Sequence, residues 1–415
     1  MEPVQAAAAA RGSSQVRAGY RRTAAALLAG GVLVLATACG PDDTSKAGGS
    51  GGSSGGPAAS ASPKLSAAVL SVSPKDGTDD VAPSGAVKVS VADGKLTQVT
   101  VADKDGNKVT GAIAADGSSW TPSGPLAVGM LYKVNAQAVD AAGLQSALDS
   151  SFTTLTPAKT VAVNDNVTTG TTYGVGMIVS VNFSKDVSNK DDVLKGITFE
   201  ASDGTQVKGH WFSSRRLDFR PEQYWKSGTN VKIHFRLAGT EVATGVYGPK
   251  NSDEAFTVGR SQISTVDASS DKMSVSRDGQ VVQTIPITAG NDQNPSWNGT
   301  MTIEEKDRVT RMNSATVSNV VGAEYDVPDV PHAMRLTDSG TYVHGNYWGS
   351  AFGVSNASHG CVGLQDSKGG DDNSVAGKFY NSSLIGDVVI IKNSKGKTVS
   401  GSNGLSGWTM PWSSW

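Results

Sequence analysis

The sequence predicts a mainly β chain in which two tandem Ig-like β-sandwiches precede a third, mostly β domain. Three observations carry that expectation. "DGNKVTG" (Asp105 to Gly111) recurs 98 residues later as "DGTQVKG" (Asp203 to Gly209), and Pro122, Gly129, Tyr132 and Val134 line up with Pro221, Gly228, Val231 and Ile233 at an offset of 99. A period near 100 residues is far longer than a solenoid repeat and suits one sandwich per copy. Stretches such as "AVKVSVADGKLTQVTVAD" and "NVKIHFRLAG" alternate apolar and polar residues between Asp-Gly turns, the pattern of half-buried strands. Beyond about residue 260 the texture changes to short strands that do not continue the repeat.

From the N-terminus, residues 1–39 read as a signal peptide: Arg11, Arg17, Arg21 and Arg22 form a basic region ahead of "TAAALLAGGVLVLATAC". That apolar run is too short for a comfortable membrane span. It ends in "LATACG", which resembles the lipobox at which bacterial lipoproteins are cleaved and diacylated, so Cys39 is the expected lipidation site and membrane anchor. Two acyl chains anchor stably where one does not. Residues 40–63 lack bulky apolar side chains and read as a flexible Gly/Ser tether. Its reach is roughly 25 Å, enough to hold folded domains off a membrane. An exported protein of the cell envelope, held at the outer face of the cytoplasmic membrane, is the expectation.

The sandwiches are assigned to 64–156 and 157–260, and neither copy holds a cysteine pair between its sheets. In "DKDGNKV", Asp103, Asp105 and Asn107 alternate like calcium ligands, but Lys108 and Ala114 stand where that loop needs glycine and glutamate. A hairpin turn is the reading. His210, His234, Trp211 and Trp225 are read as packing residues. Net charge is −2 and charged residues make up 18% of the chain, which leaves no electrostatic footprint for nucleic acid.

The third domain is assigned to 261–395, with a tryptophan-bearing tail over 396–415. "DKMSVSRDGQVVQTIPITAG" reads as two strands around Asp278-Gly279, with further strands in "GTMTIEEK", "TYVHGNYW" and "GDVVIIKN". "GGDDNSVAGKFYNSS" is this domain's one plausible helix, starting near Asp371 or Asp372.

Within it, "SHGCV" holds Cys361, one of two cysteines in the chain. A thiol near neutral pH needs a base or a positive partner to act as a nucleophile. Three of the five histidines, His332, His344 and His359, lie within thirty residues of it. Gly360 lets the backbone approach a bound carbonyl, and amides around it suit an oxyanion hole. The competing readings are an inert buried thiol and a zinc site of Cys361, His344 and His359, which lacks the usual ligand spacing. A papain-like protease would place its cysteine ahead of its histidine, the reverse of the order here.

These residues resemble the L,D-transpeptidases with the YkuD catalytic domain, whose signature is a histidine, a spacer, then Ser or Thr followed by His-Gly-Cys. Here His344 is followed after 13 residues by Ser358, His359, Gly360 and Cys361. The likeness extends to the mycobacterial and actinobacterial type with a lipoprotein-like leader, two Ig-like domains and the tail "GLSGWTMPWSSW". It implies Cys361 as nucleophile, His344 as general base and the carbonyl of Gly345 as the group that orients the imidazole. It also implies that His359 and Gly360 shape an oxyanion hole with the Cys361 amide. "DSGTYVHG" would be an edge strand along which the donor peptide lies, with Ser339 and Gly340 touching it. Tyr325 would cover the acyl pocket and Met312 would line it. Gly363 departs from the family, which usually has Asn or Arg there to contact substrate.

The implied reaction joins peptidoglycan stem peptides in 3→3 cross-links through a cysteine thioester, releasing the terminal D-Ala of a tetrapeptide stem. It needs no metal or organic cofactor. Carbapenem β-lactams are the implied covalent inhibitors. The alternative is a catalytically weak or inactive cell-wall-binding lipoprotein, which Gly363 and the two Ig-like domains keep open.

Overall fold

The computed structural model describes residues 64–317, 321 and 324–415. The leader, Cys39 and the tether lie outside the described residues.

The first sandwich packs a sheet of Val69–Ser73, Lys88–Ala92, Ser119–Pro122 and Gly111–Ile113 against one of Thr78–Val81, Gln145–Thr154, Leu131–Val139 and Lys95–Asp103. In Leu131–Val139 the side chains of Tyr132, Val134, Ala136 and Ala138 point inward and their neighbours outward, the period of two that one-sided burial imposes. The second sandwich repeats the plan. One sheet holds Val163–Asp165, Val179–Phe183, Arg216–Pro221 and Val207–Trp211, the other Thr172–Tyr173, Ser252–Val258, Asn230–Phe235 and Ile197–Ala201. Val231 and Ile233, the repeat partners of Tyr132 and Val134, are buried in the same way. Gly129 and Gly228 both have positive φ, which explains why the repeat keeps glycine there. The Asp103 carboxylate accepts from the N–H groups of Asp105 and Asn107, closing the turn read from "DKDGNKV". A short helix, Lys190–Lys195, is an element the sequence did not announce.

One strand of the second sandwich breaks the alternation. Arg216–Pro221 is buried on both faces because the chain's last residues cover its outer side. The Arg220 guanidinium is only 2% exposed and lies 4.6 Å from the ring centroid of Trp408 and 4.4 Å from that of Trp415. Burial lowers its pKa to about 10. Trp408 Nε1–H donates to Gly176 O and Trp415 Nε1–H to Lys208 O, so the tail is stitched to the second sandwich. In the same stretch of that sandwich, Gly174 and Gly176 donate to the carbonyls of Ile385 and Gly386. Val388 of the third region belongs to the sandwich's core.

The third region is built on nine strands. In spatial order they are Gly299–Thr302, Val388–Lys392, Gln262–Asp267, Lys272–Arg277, Gln280–Thr288, Val362–Gln365, Tyr342–Asn346, Asp326–Arg335 and Glu305–Asn313. Its core includes Met273, Ile285, Ile287, Val343, Val362 and Leu364, with Phe379 supplied by the helix Val375–Ser382. That helix is capped by Ser374, whose Oγ accepts from Gly377 N–H, rather than by Asp371 or Asp372. Both carboxylates have other partners: Asp371 accepts from Asn373 N–H, and Asp372 binds Arg308 and His332. The strand within "DSGTYVHG" is not at an edge. Tyr342–Asn346 lies between Asp326–Arg335, which it pairs through Tyr342 and Val343, and Val362–Gln365, which it pairs from Val343 to Asn346.

Candidate active site

The strands Tyr342–Asn346 and Val362–Gln365 run parallel with His344 opposite Gly363. Cys361 stands two residues before Gly363 and therefore points to the same face as His344. Both line a cavity of about 490 Å³ whose walls include Met312, Tyr325, Val327, Val330 and Trp348. Side chains on the Thr288, Asn346, Ser358 and His359 positions complete it.

His344 is 4% exposed. Its Nδ1 lies 2.8 Å from the carbonyl of Gly345. A carbonyl only accepts, so Nδ1 carries the proton and Nε2 keeps its lone pair. Burial lowers the pKa of this imidazole and the Gly345 carbonyl partly opposes that. Trp348 stacks on the ring at 5.7 Å between centroids.

The Cys361 thiol is buried, and burial pushes its pKa up to about 11. It donates to Gly340 O at 3.6 Å, a contact that favours the protonated form. No hydrogen bond joins Cys361 to His344 among the described residues. The pair therefore rests as thiol and neutral imidazole, since burial disfavours both charged forms.

The turn before the cysteine is braced from several directions. Ser358 Oγ–H donates to Cys361 O at 2.6 Å and accepts from Gly360 N–H at 3.2 Å, while Ser296 Oγ–H donates to Gly360 O at 2.8 Å. Gly360 has φ +116°, open to glycine and costly for other residues. The expectation that Gly360 contributes to an oxyanion hole is corrected in one respect: its N–H is taken by Ser358, and its part is to turn the chain. The N–H of Cys361 has no acceptor among the described residues. His359 packs its ring 5.0 Å from that of Tyr325 at the cavity wall. Tyr325 and Met312 do come together there, and burial raises the Tyr325 hydroxyl to about 12.

Ser339 and Gly340 divide. Gly340, with φ +94°, brings its carbonyl to the thiol, whereas Ser339 is held by the tail. Ser339 N–H donates to Asn403 Oδ1 at 3.0 Å, and Asn403 Nδ2 donates to Ser339 Oγ at 2.8 Å. Gly363 does not have a positive φ, but a Cβ there would lie 3.0 Å from Thr288 Cγ2 and 3.3 Å from Asn346 Nδ2. A side chain at 363 would require those two side chains to give by a few tenths of an ångström.

His332, counted among the helpers of the thiol by its nearness in sequence, is elsewhere. It is fully buried, with Nδ1 2.7 Å from Asp366 and Nε2 3.2 Å from Asp372. Asn346, Trp348, Thr288 and Asn403 were missed. Only Trp348 carried a local signal, as an aromatic four residues after His344 in "HGNYW". His210 packs against Phe212 and Trp415, and His234 pairs with Asp253 at the surface, so neither joins the site.

Comparison with known proteins gives the family. Residues 261–391 match the L,D-transpeptidase catalytic domain, and residues 78–241 match a bacterial Ig domain. L,D-transpeptidase 2 of Mycobacterium tuberculosis (strain CDC 1551 / Oshkosh) is 30% identical over 355 residues, which are 85% of this chain and 84% of that protein. L,D-transpeptidase 5 of Mycobacterium tuberculosis (strain ATCC 25618 / H37Rv) is 27% identical over 356 residues, 83% of this chain and 76% of that protein. Among solved structures, an LD transpeptidase LdtMt1 in complex with imipenem is 26% identical, with a TM-score of 0.47 over 57% of this chain and all of that one. The likeness to L,D-transpeptidase 2 runs over most of both proteins, and the chain belongs to the L,D-transpeptidase family of acyltransferases.

Proposed function

We propose that this protein forms 3→3 cross-links between peptidoglycan stem peptides, with Cys361 as nucleophile and His344 as general base. The observation that carries the reading is the tautomer of His344. Its Nδ1–H is committed to Gly345 O, so Nε2 offers a lone pair into the cavity that also holds the thiol.

In the first step the sulfur attacks the carbonyl carbon between the L-centre at position three and the terminal D-Ala of a tetrapeptide. The thiol proton passes to Nε2 as the C–S bond forms. Because the resting pair is neutral, proton transfer accompanies attack instead of preceding it. The Cys361 N–H, with no acceptor of its own among the described residues, would donate to the oxyanion. Collapse breaks the C–N bond, the imidazolium returns its proton to the amine, and D-Ala leaves. In the second step a side-chain amine of a neighbouring stem attacks the thioester, its proton goes to the base, and the C–S bond breaks to restore the thiol. No oxidant or metal enters this balance.

A carbapenem offers the same sulfur a strained acyl carbonyl, so covalent inhibition follows from the same chemistry. Export, lipidation at Cys39 and a Gly/Ser tether would hold the enzyme at the outer face of the cytoplasmic membrane, with the sandwiches as spacers into the wall. The test is release of D-Ala from a disaccharide tetrapeptide by the purified protein. Stoichiometric cross-linked dimer with D-Ala supports the reading, and no D-Ala from a folded protein overturns it.

A further inference from the structure

We propose that Asn346 supplies the side-chain amide with which this site binds an oxygen acceptor of the acyl donor, and that position 363 is glycine to make room for it. The inference rests on the transpeptidase reading above.

Asn346 ends its strand two residues after His344 and so faces the same cavity. It is 6% exposed. Its Oδ1 accepts from Trp348 N–H at 3.1 Å and Gly349 N–H at 2.8 Å, an Asx turn at the point where the chain leaves the sheet. Both partners are donors, so the network fixes which end of the amide is oxygen. The Nδ2 end then faces the opposite way, and it has no acceptor among the described residues.

Two glycines leave space for this group. A Cβ on Gly349 would lie 2.8 Å from Asn346 Nδ2, and one on Gly363 would lie 3.3 Å from it. A side chain at 349 would displace the amide, and one at 363 would require Thr288 and the amide to give by a few tenths of an ångström. Fixed by its oxygen and flanked by bare backbone, the amide presents two N–H donors beside the histidine that takes the thiol proton. The Nδ2 atom is not among the buried atoms left without a partner, so solvent reaches it through the cavity and a ligand acceptor can replace that water. The ligand chemistry is therefore a peptide carbonyl or a carboxylate, as a stem peptide carries on either side of its scissile bond. The arrangement also accounts for Gly363: a side-chain amide reaches the cavity from the neighbouring strand instead.

The informative variant is Asn346→Asp. It keeps the oxygen that closes the turn and removes the donors, so a purely structural role predicts an unchanged KM, the added charge beside His344 acting on kcat. D-Ala release from a disaccharide tetrapeptide is measured over a range of substrate concentrations with the full chain. KM is expected to rise about tenfold with kcat changed less, the scale of one lost hydrogen bond to substrate. Asn346→Ala separates the two acceptor sources: a carboxylate makes Asp worse than Ala through repulsion, and a carbonyl makes them alike. Gly363→Ala should raise KM in the wild type and add little in the Asn346→Ala background. A wild-type KM in Asn346→Asp, alongside normal D-Ala release by the wild type, overturns this assignment and leaves the transpeptidase reading intact. Absence of D-Ala release by the wild type overturns both.

Discussion

His344 and His332 stand on neighbouring strands of one sheet, and both are buried. Only one keeps a ring nitrogen for chemistry. His344 gives one nitrogen to a backbone carbonyl and turns the other to the cavity, whereas His332 has a carboxylate against each of its nitrogens. Burial and residue type are the same in the two cases. What separates a base from a strut is whether the neighbours use up the lone pair. The two are also in mechanical contact: a Cβ on Gly345 would lie 2.2 Å from Asp366 Oδ2, so the carboxylate that holds His332 packs against the residue whose carbonyl orients His344.

Removing each histidine should break the comparison in opposite ways. His344→Ala is expected to slow acylation by about 100-fold or more, the usual scale for a lost general base. Its thermal midpoint should fall less than that of His332→Ala, because the ring's one hydrogen bond among the described residues is to a backbone carbonyl and not to a buried carboxylate. His332→Ala leaves the wholly buried Asp366 side chain without its cation-capable partner. Destabilisation of about 3 kcal/mol is expected, with acylation well below the melting range within a few-fold of wild type. Melting curves and acylation rates on the same two preparations check this, and a His332 variant that stays stable but loses acylation would reverse the assignment.

A smaller effect separates the resting pair's protonation. His344 has its pKa lowered from 6.5 by burial, so acylation should hold its neutral-pH rate down through pH 6.5 and fall only in more acid solution. For stability the sign is the same: the contribution of neutral His344 is complete above pH 6.5 and is lost as pH falls below it. The thiol behaves oppositely. With its pKa raised from 9.0 to about 11, its contribution is complete below pH 9 and is lost as pH climbs toward 11. Iodoacetamide should therefore alkylate Cys361 slowly at pH 7 and faster with each step upward. Rapid, pH-independent alkylation between pH 6 and 8 would mean a preformed ion pair.

The same contrast marks what the sequence could tell. The repeat, the Asp-Gly turns and the alternating strands were legible because each is local or recurs at a fixed offset. That His344 and Cys361 face one cavity was legible because a short motif brackets them. What was not legible depends on partners far along the chain. Nothing near Arg220 announces that Trp408 and Trp415 will cover it, and nothing near Ser339 announces Asn403, 64 residues on. Gly363 read as a lost side chain, and nothing near it in sequence announces that Thr288 and Asn346 pack against it. His332 was grouped with the thiol by sequence distance alone, and the strand register sent it to two carboxylates.

The account stands on Cys361 as an acylating nucleophile, and intact-protein mass spectrometry after incubation with a carbapenem tests that most directly. The wild type should gain the mass of one drug molecule, and Cys361→Ala, which removes the one free cysteine of the described residues, should gain none. A folded wild type that gains no mass, or a Cys361→Ala variant that gains it equally, would contradict the account.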